Sequence, residues 1–258
     1  EVTVQRHPRS GLLTAAVTLP IAGAGGGEGD CELVVVLDRS TSMHGLRLSR
    51  VRSAVQTFLR SVPAAARVNL VGFPRPGAGT AGADGDGEAA LFPAGSRRLD
   101  KEAFEAAMEH LQAADAGGAR ARAPRRGGAE QPAGATELLR VALVDLPRPE
   151  GAQLGVVVIT DRHPLDTDDA VDFIGDSCRA DCRLSAVGVG WGASSPFVEG
   201  AARAGGGAAS FVAERGGAVA LERTLIAHLV EALRPEVRDV EVDWAALAAA
   251  VGATGCGA

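Results

Sequence analysis

Four apolar runs of strand length, Leu33 to Leu37, Val68 to Phe73, Leu154 to Thr160 and Leu184 to Val189, constrain the fold of this chain most tightly. A strand with one wet face alternates apolar and polar residues, whereas a strand covered on both faces stays apolar along its length. Amphipathic segments separate the runs. The first sets Leu48, Val51, Val55, Phe58, Leu59 and Val62 at helical spacing, with Arg47, Arg50, Arg52 and Arg60 mostly opposite, and Pro63 stops it. Further helices are predicted over 100–113, from a Thr136 cap to about Leu146, near 167–178, from Ser194 or Ser195 onward, and over Leu221–Leu233 before Pro235. Buried strands alternating with such helices make an α/β fold, an open parallel sheet covered on both faces.

These elements place one large domain over residues 31–233, and a chain of 258 residues with 46% hydrophobic content can bury its core. Short strands are predicted around Ala90–Phe92 and at Ala209–Val212. Residues 1–30 read as a linker and edge segment, alternating from Leu12 to Leu19 and then glycine-rich from Ala22 to Gly29. Gly-, Ala- and Arg-rich stretches near 74–89 and 116–132 lack the apolar content to order themselves and read as flexible insertions. Within the first, Asp84 to Glu88 lacks the spacing of a calcium loop. Val237–Val242 alternates, which makes 234–258 the start of a following β segment.

Several function classes drop out. A net charge of −6 argues against a nucleic-acid surface. Lys101 is the sole lysine and follows no glycine-rich loop, which excludes a nucleotide-phosphate cradle. The longest apolar runs are too short to span a bilayer and no signal peptide is recognisable, so no membrane insertion is expected and an intracellular, cytoplasmic location is favoured over secretion. Cys31, Cys178, Cys182 and Cys256 lack zinc-site spacing. Cys178 and Cys182 fall on an expected helix where they could face each other, and read as partly buried thiols rather than a disulfide or metal pair.

Three polar segments stand where strands give way to helices, the edge of an open α/β sheet that binds ligands. They are Asp38-Arg39-Ser40-Thr41-Ser42, Gly134-Ala135-Thr136 and Thr160-Asp161. A tight turn can aim Asp38, Ser40 and Ser42 at one point, and Thr136 and Asp161 complete an all-oxygen cage of low charge. Such a cage suits Mg²⁺ or Mn²⁺ better than Zn²⁺. It also leaves an open coordination position for water or for an Asp or Glu of a partner protein.

This set, Asp-x-Ser-x-Ser with a distant Thr and a distant Asp, resembles the metal-ion-dependent adhesion site of the von Willebrand factor type A (vWA) family. The resemblance covers about residues 31–233. It implies a Rossmann-like vWA fold, with a central mostly parallel sheet, helices on both faces and one short antiparallel edge strand. It also implies a protein-binding rather than enzymatic role, with Asp38, Ser40, Ser42, Thr136 and Asp161 on the metal. Val187 to Ser194, Gly200 to Gly207 and Pro235 to Trp244 resemble the vWA proteins in which this module follows a vault/inter-alpha-trypsin domain, so the first residues would be the linker from that domain. Many relatives carry glycine at the position of Arg162 and Gly-Gly-Thr in place of Gly134-Ala135-Thr136. Arg162 would compete with a cation for Asp161 or help hold an acidic ligand.

Two other readings compete. In one, the domain is a metal-free scaffold whose contacts use loops or apolar surface. In the other, His44 or His163 and a serine of the motif support metal-assisted hydrolysis, although no Gly-x-Ser-x-Gly elbow is present. His228 and Glu231 on the last helix read as ordinary amphipathic surface.

Overall fold

The computed structural model describes residues 2–6, 10, 13–17, 31–38, 43, 45–72, 90–116, 135–178 and 181–234. They belong to two compact units, residues 1–27 with 235–258, and residues 28–234. In the first unit, β1 (Val2–Arg6) and β2 (Leu13–Val17) pair antiparallel, with Val2 opposite Val17 and Arg6 opposite Leu13. The glycine tract, the insertions near 74–89 and 116–132 apart from Ala116, and the alternating Val237–Val242 lie outside the described residues.

The second unit carries the sheet. At its centre β3 (Cys31–Leu37) pairs in parallel with β4 (Arg67–Gly72) on one side and β6 (Gln153–Thr160) on the other. Beyond β6 lie β7 (Cys182–Val189) and β8 (Gly206–Val212), both parallel. On the opposite flank a short antiparallel strand, β5 (Arg97–Arg98), closes the order β5-β4-β3-β6-β7-β8. The chain leaves β3 toward β4 but returns to its other side at β6, so the topological switch point lies between β3 and β6.

Alternate residues of each strand point to opposite faces, and the helices divide accordingly. Leu33 and Val35 pack with Val55, Phe58 and Leu59 of α1 (Leu46–Ser61), with Leu111 of α2 (Lys101–Ala116), and with Leu225 and Leu229 of α6 (Gly217–Ala232). Val34 and Val36 belong to the second core. There they pack with Leu138 of α3 (Ala135–Arg140), Ile174 of α4 (Thr167–Ser177) and Phe197 of α5 (Ser195–Ala204). Two cores on one sheet explain why the β3 run carries no polar alternation. At Gly155 of β6, a Cβ would stand 2.8 Å from Ala232 of α6, so the glycine lets that helix lie against the strand.

The structure revises several local expectations. Ala90 makes only an isolated antiparallel bridge with Val71, and the edge strand sits at Arg97–Arg98 instead of Ala90–Phe92. The buried Asn69 side chain takes over the pairing there, donating to Phe92 O at 2.8 Å and accepting from Phe92 N at 3.0 Å. The helix predicted to follow a Thr136 cap and run to about Leu146 begins two residues earlier, at Ala135, and loosens into a π turn over Val141–Asp145. Cys178 and Cys182 do not share a helix, since α4 ends at Ser177 and Cys182 opens β7. His228 is buried, with Nε2 3.0 Å from Ser210 Oγ, because α6 lies over β8 and turns that position inward.

Candidate functional site

The ladder between β3 and β6 continues one step past Leu37, where Asp38 N donates to Ile159 O at 2.9 Å. That bond fixes the Asp38 carboxylate at the carboxyl edge, and the residue is 1% exposed. Thr160, the last residue of β6, donates its hydroxyl to Asp38 Oδ2 at 2.8 Å and accepts from Arg162 N at 3.0 Å. The second contact turns the chain at Asp161, which is also buried. Two of the carboxylates expected from sequence thus stand at neighbouring strand ends, on the switch point.

A buried carboxylate requires compensating charge or hydrogen bonds. For Asp161 the compensation comes from Arg47, in the first turn of α1, whose Nη1 pairs with Asp161 Oδ2 while Nη2 pairs with Glu214 Oε1. The guanidinium on Asp161 is therefore supplied by Arg47, a residue that helical spacing had assigned to a solvated face. Gly190, at φ 79 just after β7, makes room for this bridge, because a Cβ there would stand 3.2 Å from Arg47 Nη2. Arg50 adds a bond from Nη1 to Glu214 O at 2.7 Å, so α1 grips the segment before α6 twice.

Thr136 lies inside the first turn of α3 and does not cap it. The cap comes from the loop after β6: Asp166 accepts from Ala135 N and Thr136 N, both at 3.0 Å, and from Thr136 Oγ1 at 2.8 Å. Partial burial works to raise the Asp166 carboxyl, but these donors outweigh it and hold the carboxyl below its ordinary value. A hydroxyl whose proton is committed keeps its lone pairs, so Thr136 can still offer oxygen to a cation or a donor.

Ser40, Ser42 and His44 lie outside the described residues, and His163 is exposed. Among the described residues no cluster of three or more His, Cys, Asp and Glu side chains is placed to hold a metal. A cation at this edge would therefore depend on hydroxyl oxygens beside its carboxylates. The donor chemistry fits a hard divalent ion: Asp38 is a buried carboxylate, Thr136 a hydroxyl with its proton turned away, and every candidate donor is oxygen. Asp161 fits as a source of negative charge that Arg47 already shares.

Sequence reasoning missed Arg47, Glu214 and Asp166. Asp166 had a usable signal, an Asp directly before a helix, although its hydrogen-bond partners here lie 30 residues away. Arg47 had none, because nothing local distinguishes it from the neighbouring arginines.

The sequence profile of the von Willebrand factor type A domain matches residues 31–211. The chain is 26% identical over 224 residues to human von Willebrand factor A domain-containing protein 5A, covering 83% of this chain and 25% of that protein. To human von Willebrand factor A domain-containing protein 5B1 it is 25% identical over 215 residues, covering 83% of this chain and 15% of that protein. The chain thus spans a quarter or less of the length of these relatives. Among solved structures, a von Willebrand factor type A protein from Catenulispora acidiphila superposes with a TM-score of 0.56 at 16% identity, covering 87% of this chain and 45% of that one. Proximal thread matrix protein 1 from the mussel byssus, with a zinc-occupied MIDAS motif, gives 0.52 at 15% identity, covering 78% and 47%. Both share the fold described above. With the profile matched from the first strand of the sheet to the last, the chain belongs to the von Willebrand factor type A domain family.

Proposed function

We propose that the domain is a protein-binding module that engages an acidic side chain of a partner through Mg²⁺ or Mn²⁺ held at the carboxyl edge of the sheet. The observation that carries the reading is the pair of buried carboxylates, Asp38 and Asp161, on adjacent strand ends at the switch point. Asp38, Ser40, Ser42 and Thr136 supply the oxygen ligands, with Asp161 contributing charge from beside them. Once bound, the ion supplies a positive charge with an open position that a partner's Asp or Glu completes. Asp166 orients the Thr136 hydroxyl, and Thr160 orients Asp38. The mussel protein named for a zinc-occupied MIDAS motif supports metal binding on this fold.

Leu46, Leu165 and Trp191 support a protein partner: they are 76%, 90% and 83% exposed, on three segments that follow β3, β6 and β7 at this same edge. Large exposed apolar side chains around a polar centre are the usual anatomy of a protein interface. No helix among the described residues is long and apolar enough to cross a membrane. The test is calorimetric titration of the full chain with Mg²⁺ and Mn²⁺, beside Asp38→Ala. Saturable binding lost in the variant is the expected result, and absence of binding in the unsubstituted chain refutes the mechanism.

The metal-free scaffold remains the second reading because Arg47 already neutralises Asp161. It requires that thermal unfolding be the same with Mg²⁺ and with EDTA.

A further inference from the structure

Cys178 follows the last residue of α4 and Cys182 opens β7, with their Sγ atoms 2.6 Å apart. That separation exceeds a disulfide bond of about 2.05 Å, and the thiols are free. Both backbone positions are held: Cys178 N donates to Ile174 O at 2.7 Å as the last bond of α4, while Cys182 pairs with Leu154 in the sheet. Both side chains are half-buried against the core beneath α3, α4 and α5. Two thiols fixed in this way have no chain entropy left to lose on joining, so an intramolecular disulfide is favoured over separate adducts.

We propose that Cys178 and Cys182 form a reversible disulfide that pins the end of α4 to the start of β7, with a low-molecular-weight disulfide such as oxidised glutathione as the oxidant. The Cys178 thiolate attacks one sulfur of glutathione disulfide, forming a mixed disulfide and releasing one glutathione thiolate, which takes up a proton. Cys182 then loses its proton, attacks the Cys178 sulfur and expels the second glutathione. Two protein thiols are oxidised and one glutathione disulfide is reduced to two thiols. Either thiol can donate to the other across this contact, so the thiolate that forms first is held by the remaining S–H, and the Arg148 charge favours that thiolate.

Trypsin tests this directly, because it cuts after Arg162, Arg179 and Arg183 and separates the two cysteines into peptides 163–179 and 180–183. The full chain is equilibrated in glutathione buffers of rising oxidised fraction, quenched with acid, alkylated with iodoacetamide in urea, digested without reductant and analysed by mass spectrometry. The expected result is a linked 163–179/180–183 species with loss of alkylation at both cysteines, while Cys31, whose thiol burial pushes up to about 11, stays alkylated. Cys182→Ser should instead trap glutathione on Cys178. Recovery of both cysteines alkylated in fully oxidised buffer, or of wild-type protein carrying a separate glutathione on each, overturns the proposal.

Discussion

Replacing Arg47 by alanine removes the cation paired with Asp161, whose side chain is 0% exposed, and with Glu214, which is 43% exposed. Taking the guanidinium away from a buried carboxylate costs about 3–5 kcal/mol when the pair is dry. Arg47 itself is 24% exposed, so water reaches the vacated position and the cost falls to about 2–3 kcal/mol. At about 2–4 °C per kcal/mol for a domain of this size, the thermal midpoint in EDTA should drop by roughly 4–12 °C. Saturating Mg²⁺ acts in the opposite direction. An ion at a hundred times its Kd stabilises by about 2.7 kcal/mol, and the variant offers it an Asp161 no longer shared with a guanidinium. Scanning calorimetry in EDTA and in Mg²⁺ should therefore show a larger metal-dependent rise for Arg47→Ala than for the unsubstituted chain. Adding Asp161→Asn to Arg47→Ala should restore much of the EDTA midpoint, since the buried charge that Arg47 offset is gone. An Arg47→Ala midpoint in EDTA equal to that of the unsubstituted chain would refute the reasoning.

Asp166→Ala removes three hydrogen bonds at the start of α3 and should cost about 1–2 kcal/mol, read as a lower urea midpoint. Burial lowers the His228 imidazole below its ordinary 6.5, so its neutral form contributes stability that is complete above pH 6.5 and lost as pH falls toward the lower folded value. Urea midpoints between pH 8 and pH 5 should decline accordingly, and His228→Gln should flatten that part of the profile. If the disulfide forms, closing a five-residue loop between Cys178 and Cys182 should add about 2 kcal/mol by the chain-entropy relation, or roughly 4–8 °C between reduced and oxidised protein.

Buried apolar runs and helical periodicity by themselves determined the parallel sheet, its covering helices and the strand ends at which Asp38 and Asp161 stand, with Thr136 at the start of a helix. These patterns are local consequences of which faces of an element must leave water, so they are legible without knowing what covers them. Capping and charge compensation were not local. Thr136 has the chemistry of a cap, yet Asp166 performs that role across 30 residues, because the loop after β6 returns beside α3. Arg47 has the spacing of a solvated residue. The tertiary structure alone brought it onto Asp161 and Glu214, 114 and 167 residues away, past a glycine whose missing Cβ leaves the opening. His228 followed the same logic, buried by the packing of α6 on the sheet and bonded to Ser210 in a strand that pattern alone could not align with it. Hydrophobic burial is written into the spacing of a segment, whereas the partner of a buried charge is chosen by whichever distant segment the fold lays beside it.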